Sequence, residues 1–197
     1  PLPDTTEPDE KTNWVDQQLQ EMTLDEKIAH LFVVRLDAFF QNADSPTYQR
    51  TVSLVESFGA GGLVFGPGRP MTQIAMANDL QEKAERPLLV AQDTEWGVGM
   101  RIDEATSFPP AMAIGATRDA SHAFRVGYVT AREARALGVH QLYAPVADVN
   151  NNPKNPIINI RSFGSSPSLV GTMASAFVRG AQQGDALATV KHFPGHG

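Results

Sequence analysis

Short apolar runs alternate with helical patterns along most of the chain, and this alternation limits the possible folds more than any other feature of the sequence. The runs are apolar throughout rather than at every second position, which is typical of strands buried on both faces of a parallel sheet. The segments between them carry apolar residues at helical spacing, which predicts helices that connect successive parallel strands. The predicted strands are residues 31–36, 62–65, 87–91, 141–146 and 187–190, and the predicted helices are 14–22, 23–30, 47–58, 71–84, 119–137 and 168–183.

Two α/β architectures fit this pattern: a doubly wound open sheet and a (β/α)8 barrel of the TIM type. A dinucleotide-binding sheet needs a glycine-rich turn after its first strand. The nearest match, Gly66-Pro67-Gly68, follows the second strand, lacks the third glycine and contains a proline without an N–H group. A barrel needs eight strands, so the chain is predicted to be the N-terminal portion of a barrel that lacks about three βα units.

The N-terminal segment and the composition limit the domain boundaries and the kinds of partner and cofactor that the chain could have. Residues 1–12 are acidic and proline-rich and are predicted to be a tail or linker, with the incomplete barrel domain at 13–197. A formal net charge of −6 argues against a nucleic-acid partner, and no apolar run approaches the roughly 18 residues of a membrane span. The chain has no cysteine, so thiolate chemistry is excluded, and no cofactor is expected. The start without Met favours an exported protein, periplasmic or extracellular, over a cytoplasmic one.

Polar residues cluster at the carboxyl ends of the later strands. Asp93 follows the third strand, Lys191 and His192 follow the fifth, and Arg161 lies in the long loop after the fourth. Because these ends meet on one face of a parallel barrel, the residues are predicted to hydrogen-bond a polyhydroxylated ligand, with Trp96 as an apolar platform for a sugar face. Lys191 directly follows an apolar strand, and burying its charge there is energetically unfavourable unless it pairs with a carboxylate or binds a ligand.

Each of these residues also has a purely structural interpretation. Asp93 could cap the next turn, Arg161 could bridge to a loop carboxylate, and His192 could be a satisfied core histidine. His192 and His196 are four residues apart, a spacing that binds metals on a helix, but Pro194 and Gly195 lie between them and no metal site is predicted.

Arg132 and Glu133 are a further polar pair outside this cluster. They lie in the middle of the predicted helix 119–137 and are expected to be solvated.

The heptapeptide Lys191-His192-Phe193-Pro194-Gly195-His196-Gly197 resembles the signature of glycoside hydrolase family 3, especially its β-N-acetylglucosaminidase branch. Three other segments, which hold Asp93 with Arg101, Asp148 with Arg161, and the opening Met22 to Ile28, resemble the family in the same order. The resemblance covers about residues 14–197, and it implies that Asp93, Arg101, Arg161, Lys191 and His192 bind the substrate.

Membership would imply a (β/α)8 barrel and a retaining mechanism in which an Asp nucleophile forms a glycosyl-enzyme. In this branch a His paired with an Asp on a flexible loop is the general acid/base. Both that pair and the nucleophile are expected after Gly197, so no catalytic residue is assigned within the chain. The remaining barrel segment is therefore expected as a partner that completes the domain.

Three functions remain open. The first is an exo-glycosidase that removes terminal β-linked N-acetylglucosamine. The second is a β-glucosidase or glycosyl phosphorylase on the same scaffold, and the third is a non-catalytic sugar-binding module. The family often has Glu-Gly-Gly where this chain has Glu95-Trp96-Gly97, and this difference leaves the exact sugar open.

Overall fold

A computed structural model describes residues 10–197, with side chains described from residue 13. Residues 1–9, which hold most of the predicted tail, lie outside the described residues. The helices are α1 (Glu10–Glu21), α2 (Leu24–Ala29), α3 (Pro46–Glu56), α4 (Pro70–Lys83), α5 (Ala111–Ala116), α6 (Ala120–Ala136) and α7 (Pro167–Gln183). The strands are β1 (Val33–Ala38), β2 (Gly62–Gly68), β3 (Leu89–Gln92), β4 (Gln141–Leu142) and β5 (Leu187–Ala188).

The strands form one parallel sheet in the order β1-β2-β3-β4-β5. Sequence neighbours are therefore also neighbours in the sheet, as in a singly wound barrel and unlike a doubly wound sheet, whose strand order reverses. The predicted parallel α/β fold is confirmed. Within residues 10–197, β1 and β5 each pair with a single strand.

The predicted element boundaries differ from the observed ones at α1, which begins four residues earlier, at β1, which lies two residues later, and at β4 and α5. Pairing beyond Leu142 is reduced to an isolated bridge between Val146 and Lys191, because Pro145 has no N–H group to donate. Helix α5 was not predicted, since its six residues are too few to show a helical period and, unlike α2, it has no side-chain cap. Helix α2 begins with a capping box formed by Thr23 and Glu26.

The main core lies between the sheet and the helices. Leu36, Phe65 and Leu142 point from the strands toward this layer and are buried. Because side chains alternate along a strand, Arg35 and Asp37 of β1 project from the opposite face of the sheet. Asp93 lies one residue beyond Gln92, whose side chain contacts Gln73 of α4 in the helix layer, so Asp93 projects toward the same face as Arg35.

Helices α6 and α7 pack closely through two glycines. A Cβ atom at Gly127 would lie 2.2 Å from the carbonyl oxygen of Phe177, and one at Gly180 would lie 2.0 Å from that of Phe124. This contact fixes the layer behind β4 and β5. In the part of the chain that the structure describes, no helix has the length and apolar character needed to cross a bilayer.

Candidate functional site

Three segments that follow strands bring the predicted residues together. The segment after β3 carries Asp93 and Glu95, the segment after β4 carries Asp148, and Lys191 and His192 lie just beyond β5. The bridge between Val146 and Lys191 holds the last two segments side by side, with the N–H of Ala147 donating to the carbonyl of Lys191 at 2.7 Å. Parallel strands thus deliver side chains distant in sequence to one edge of the sheet.

Asp93 is held between two cations. Its Oδ1 lies 2.9 Å from Nζ of Lys191, and its Oδ2 lies 2.7 Å from Nη2 of Arg101. Partial burial raises the pKa of Asp93, but the hydrogen bonds and charges of Lys191 and Arg101 outweigh burial and set the pKa below its ordinary value. Asp93 is therefore a carboxylate that accepts hydrogen bonds at neutral pH.

Glu95 links the other side of Lys191 to Arg161. Its carboxylate accepts from Nε and Nη2 of Arg161 at 2.9 and 2.8 Å, and its Oε1 also lies 2.8 Å from Nζ of Lys191. The side chain is 5% exposed. Burial raises the pKa of Glu95, but Arg161 and Lys191 outweigh it, so the pKa is lowered. Glu95 is thus an ionised, buried link between two cations.

Arg161 has most of its donors engaged within the protein. Besides Glu95, its Nη1 donates to the carbonyl of Ile157 at 3.1 Å, and its Nη2 lies 3.4 Å from Nε2 of His192. A guanidinium has five N–H groups, and these four contacts leave one of them for a ligand. The structural interpretation of Arg161, a bridge to a loop carboxylate, is therefore correct, and it is compatible with one additional hydrogen bond to a substrate.

Asp148 fixes the histidines of the heptapeptide from a fully buried position. Its Oδ2 lies 2.6 Å from Nδ1 of His192, and its Oδ1 accepts from the backbone N–H of His196 at 2.6 Å. Burial raises the pKa of Asp148, but the hydrogen bonds from His192 and His196 outweigh it and lower the pKa. Since an ionised Asp148 can only accept, Nδ1 of His192 is the donor in their contact.

These contacts join into one chain of charges from Arg101 to Asp148. It contains three carboxylates and three cations, listed here in the order in which they touch, with His192 between the last two: Arg101, Asp93, Lys191, Glu95, Arg161 and Asp148. The structure therefore brings all five predicted site residues together. Their role in binding a substrate stays a prediction.

Glu95 and Asp148 were not among the predicted site residues. Both follow strands, which is the signal that singled out Asp93, but their partners in this network are 44 to 96 residues away along the chain. Pairing across such distances depends on the register of the sheet. Trp96 is half-buried, and its carbonyl accepts from the N–H of Phe108 at 2.8 Å. Its proposed stacking on a sugar also stays a prediction.

Two open cavities lie along the charged network. One of about 350 Å³ is lined by Asp93, Arg101, Arg35 and Tyr143. The other, of about 660 Å³, follows the heptapeptide and includes Asp148, Lys191 and His192. Volumes of this size suit small ligands. Among the described residues, no group of three or more His, Asp or Glu side chains has a geometry that could hold a metal ion.

Comparisons with known proteins identify one family. Residues 23–197 match the description "Glycosyl hydrolase family 3 N terminal domain". The β-N-acetylglucosaminidase/β-glucosidase of Cellulomonas fimi is 34% identical over 189 residues, which cover 96% of this chain and 32% of that protein. The β-hexosaminidase A of Pseudoalteromonas piscicida is 41% identical over 122 residues, 59% of this chain and 20% of that protein.

Solved structures show the same fold. The β-glucoside phosphorylase BglX bound to 2FGlc superposes with a TM-score of 0.87 at 31% identity, covering 96% of this chain and 33% of that one. A family 3 β-N-acetylglucosaminidase from Paenibacillus sp. superposes with a TM-score of 0.78 at 32% identity, covering 88% of this chain and 34% of that one. The chain thus spans about a third of the length of these relatives.

Proposed function

The chain belongs to glycosyl hydrolase family 3, and we propose that it forms the sugar-binding portion of a retaining exo-glycosidase that removes terminal β-linked N-acetylglucosamine. The observation that carries this proposal is the network around Asp93 and Lys191. Sugar hydroxyls both donate and accept hydrogen bonds, so a ring is best held by a carboxylate next to donor-only cations. Asp93, Lys191 and Arg101 supply this combination beside an open cavity.

The bond-breaking groups are proposed to come from polypeptide beyond Gly197, as the family resemblance implies. The electrostatics of the site support this assignment. Asp93, Glu95 and Asp148 each have a lowered pKa, so none of them is suited to donate a proton as a general acid. Both oxygens of Asp93 are engaged by cations, which makes it a weak nucleophile.

The pair formed by His192 and Asp148 resembles an acid/base dyad, but its geometry favours a binding role. Nδ1 of His192 donates to Asp148, while Nε2 faces a donor of Arg161 rather than open space. A general acid must present a proton to the leaving oxygen, and Nε2 lies 3.4 Å from Nη2 of Arg161, where a second donor has no acceptor. We therefore assign His192 to substrate binding and propose that a different His acts as acid/base.

A further segment is proposed to complete the barrel next to β1 and β5. Two observations support it: the chain spans about a third of its relatives, and the flanking strands carry exposed apolar side chains. Val33 of β1 is 47% exposed, and Leu187 of β5 is 55% exposed. Added βα units would cover both flanks.

The test compares the full-length protein with residues 1–197 alone on a chromogenic β-N-acetylglucosaminide. We expect turnover by the full-length protein and none by the shorter chain, because the proposed nucleophile and acid/base are absent from it. Turnover by residues 1–197 would refute the placement of the catalytic groups. Binding of N-acetylglucosamine without turnover by the full-length protein would instead indicate a non-catalytic sugar-binding module.

A second candidate function, phosphorolysis of a β-glucoside, is supported by the superposition on a β-glucoside phosphorylase with a TM-score of 0.87. The Cellulomonas fimi relative is also named for both N-acetylglucosaminide and glucoside substrates. Inorganic phosphate in the same assay separates the reactions. Formation of a sugar 1-phosphate would indicate a phosphorylase, and free sugar at an unchanged rate would indicate a hydrolase.

A further inference from the structure

Glu133 of helix α6 contacts the loop that carries Arg101. Its carboxylate accepts from the backbone N–H of Thr106 at 3.2 Å and also from the Thr106 hydroxyl. The sequence predicted a solvated side chain here, and this prediction is wrong for Glu133, which is half-buried, but correct for its neighbour Arg132, which is exposed. A carboxylate that accepts two bonds from one residue fixes both the backbone and the side chain of that residue.

The loop held by Glu133 is folded onto itself. Its two arms are joined by hydrogen bonds from Gly99 N–H to the Thr106 carbonyl at 2.9 Å and from Phe108 N–H to the Trp96 carbonyl at 2.8 Å. The arms approach so closely that a Cβ atom at Gly97 would lie 2.4 Å from the Thr106 carbonyl oxygen. Gly97 also has φ +101°, which other residues rarely adopt. A shift of Thr106 would therefore move the arm that leads to Arg101.

Arg101 lies at the far end of this loop, between the two arms. Its carbonyl accepts from the N–H of Gly68 at 2.9 Å, and the next residue, Ile102, is fully buried. The guanidinium reaches Asp93 at 2.7 Å. The loop is thus attached to β2 near its tip and to α6 near its base, and Glu133 supplies the side-chain attachment at the base.

We propose that Glu133 is a positioning residue for substrate binding, because it fixes the loop that directs Arg101 at Asp93. This inference rests on the proposed function, in which Arg101 and Asp93 bind the non-reacting part of the sugar. Glu133 touches neither the cavity beside Asp93 nor the cavity along the heptapeptide. Its effect on substrate is therefore transmitted through Thr106 and Arg101.

The experiment is a double-mutant cycle on the full-length protein, with kcat and KM measured on the chromogenic β-N-acetylglucosaminide. We expect Glu133→Ala to lower kcat/KM about tenfold, a size typical of a lost hydrogen bond to a charged group, mainly through a higher KM. In an Arg101→Ala background the same substitution should change kcat/KM less than about twofold, because the residue through which it acts is gone. Arg132→Ala, the exposed neighbour, is the matched control and should leave kcat/KM unchanged.

Two results distinguish a failure of the role proposed for Glu133 from a failure of the proposed sugar site. If Arg101→Ala weakens binding but Glu133→Ala has the same effect in both backgrounds, Glu133 acts on general stability and the inference is overturned. If Arg101→Ala leaves KM unchanged, the proposed sugar site itself is wrong, and the inference falls with it.

Thr106→Val provides a second route if Glu133→Ala does not fold. It removes the hydroxyl donor and keeps the backbone N–H contact, so a smaller rise in KM is expected, again absent in the Arg101→Ala background. Glu133→Gln retains an acceptor oxygen and should restore part of the lost activity. A rise in KM for Thr106→Val that persists without Arg101 would contradict the proposal.

Discussion

At the scale of single residues, the site is organised by carboxylates that hold cations in place. Lys191 ends an apolar strand, and its charge is balanced by Asp93 and Glu95 at 2.9 and 2.8 Å. Burying a charged lysine without a partner is unfavourable. The two carboxylates, one buried and one half-buried, therefore offset the burial of the Lys191 charge. The sequence identified the cation and one of these partners. It did not assign Glu95 to the site, because only the folded register shows that this carboxylate reaches Lys191 as well as Arg161.

Lys191→Ala should severely reduce turnover by the full-length protein while leaving the fold intact. The substitution removes one donor to the proposed substrate and leaves Asp93 with Arg101 alone, so we expect kcat/KM to fall by about a hundredfold. Lys154→Ala, at an exposed loop position, is the control. Activity that survives in the Lys191 variant would show that Lys191 pairs with Asp93 and Glu95 without binding the substrate.

Asp148→Asn should loosen the heptapeptide. The carboxylate accepts from His192 and from the backbone of His196, and an amide has a single acceptor oxygen for both. We expect a loss of about 2 kcal/mol in the free energy of unfolding, measured by chemical denaturation. Asp185→Asn, at an exposed position with φ +71° that Asn tolerates, should cost little. Equal losses in the two variants would contradict this role.

The natural protein and Asp148→Asn together test how the free energy of unfolding depends on pH. The pKa of Asp148 is lowered by folding, so its contribution to stability is complete above the ordinary pKa of an Asp, about 4, and is lost as the pH falls through the lower folded value. The stability difference between the natural protein and Asp148→Asn should therefore be constant from about pH 5 to 8 and shrink below about pH 4. A difference that grew on acidification would contradict the lowered pKa.

At the scale of helices and strands, the apolar pattern predicted the order and type of most elements. It placed α6 and α7 within a residue or two of their observed ends, because both are long and amphipathic. It could not place the end of β4, where Pro145 interrupts pairing, or reveal that Glu133 reaches Thr106 across 27 residues. Such features depend on how separate elements pack together, and the spacing of apolar residues within one element does not reveal them.

The close contact of α6 and α7 at their glycines can be tested by substitution. Gly180→Ala would place a Cβ atom 2.0 Å from the carbonyl oxygen of Phe124, so the helices must separate, and we expect a loss of about 1–3 kcal/mol in the free energy of unfolding. Gly171→Ala on the same helix meets no atom within 4 Å and should stabilise the protein by up to about 1 kcal/mol. Thermal and chemical unfolding of both variants would decide, and destabilisation of similar size in both would be contrary to the close helix contact.

At the scale of the whole molecule, the winding of the sheet places the ends of β3, β4 and β5 side by side. The strand order follows the sequence order, so β3, β4 and β5 are adjacent and the residues that follow them reach one edge of the sheet. Family membership agrees with this arrangement, and the chain spans about a third of the length of its relatives. The parallel pattern alone predicts that the residues after β3, β4 and β5 lie close together. It does not predict which of their N–H groups remain free to bind a ligand: most of those of Arg161 already donate within the protein.

The most direct test is a crystal structure of the full-length protein with N-acetylglucosamine bound. We expect one pyranose ring beside β3 and β5, with its hydroxyl groups within hydrogen-bond distance of both the Asp93 carboxylate and the Lys191 ammonium. A ring bound elsewhere, with Asp93 and Lys191 paired only to each other, would contradict the account.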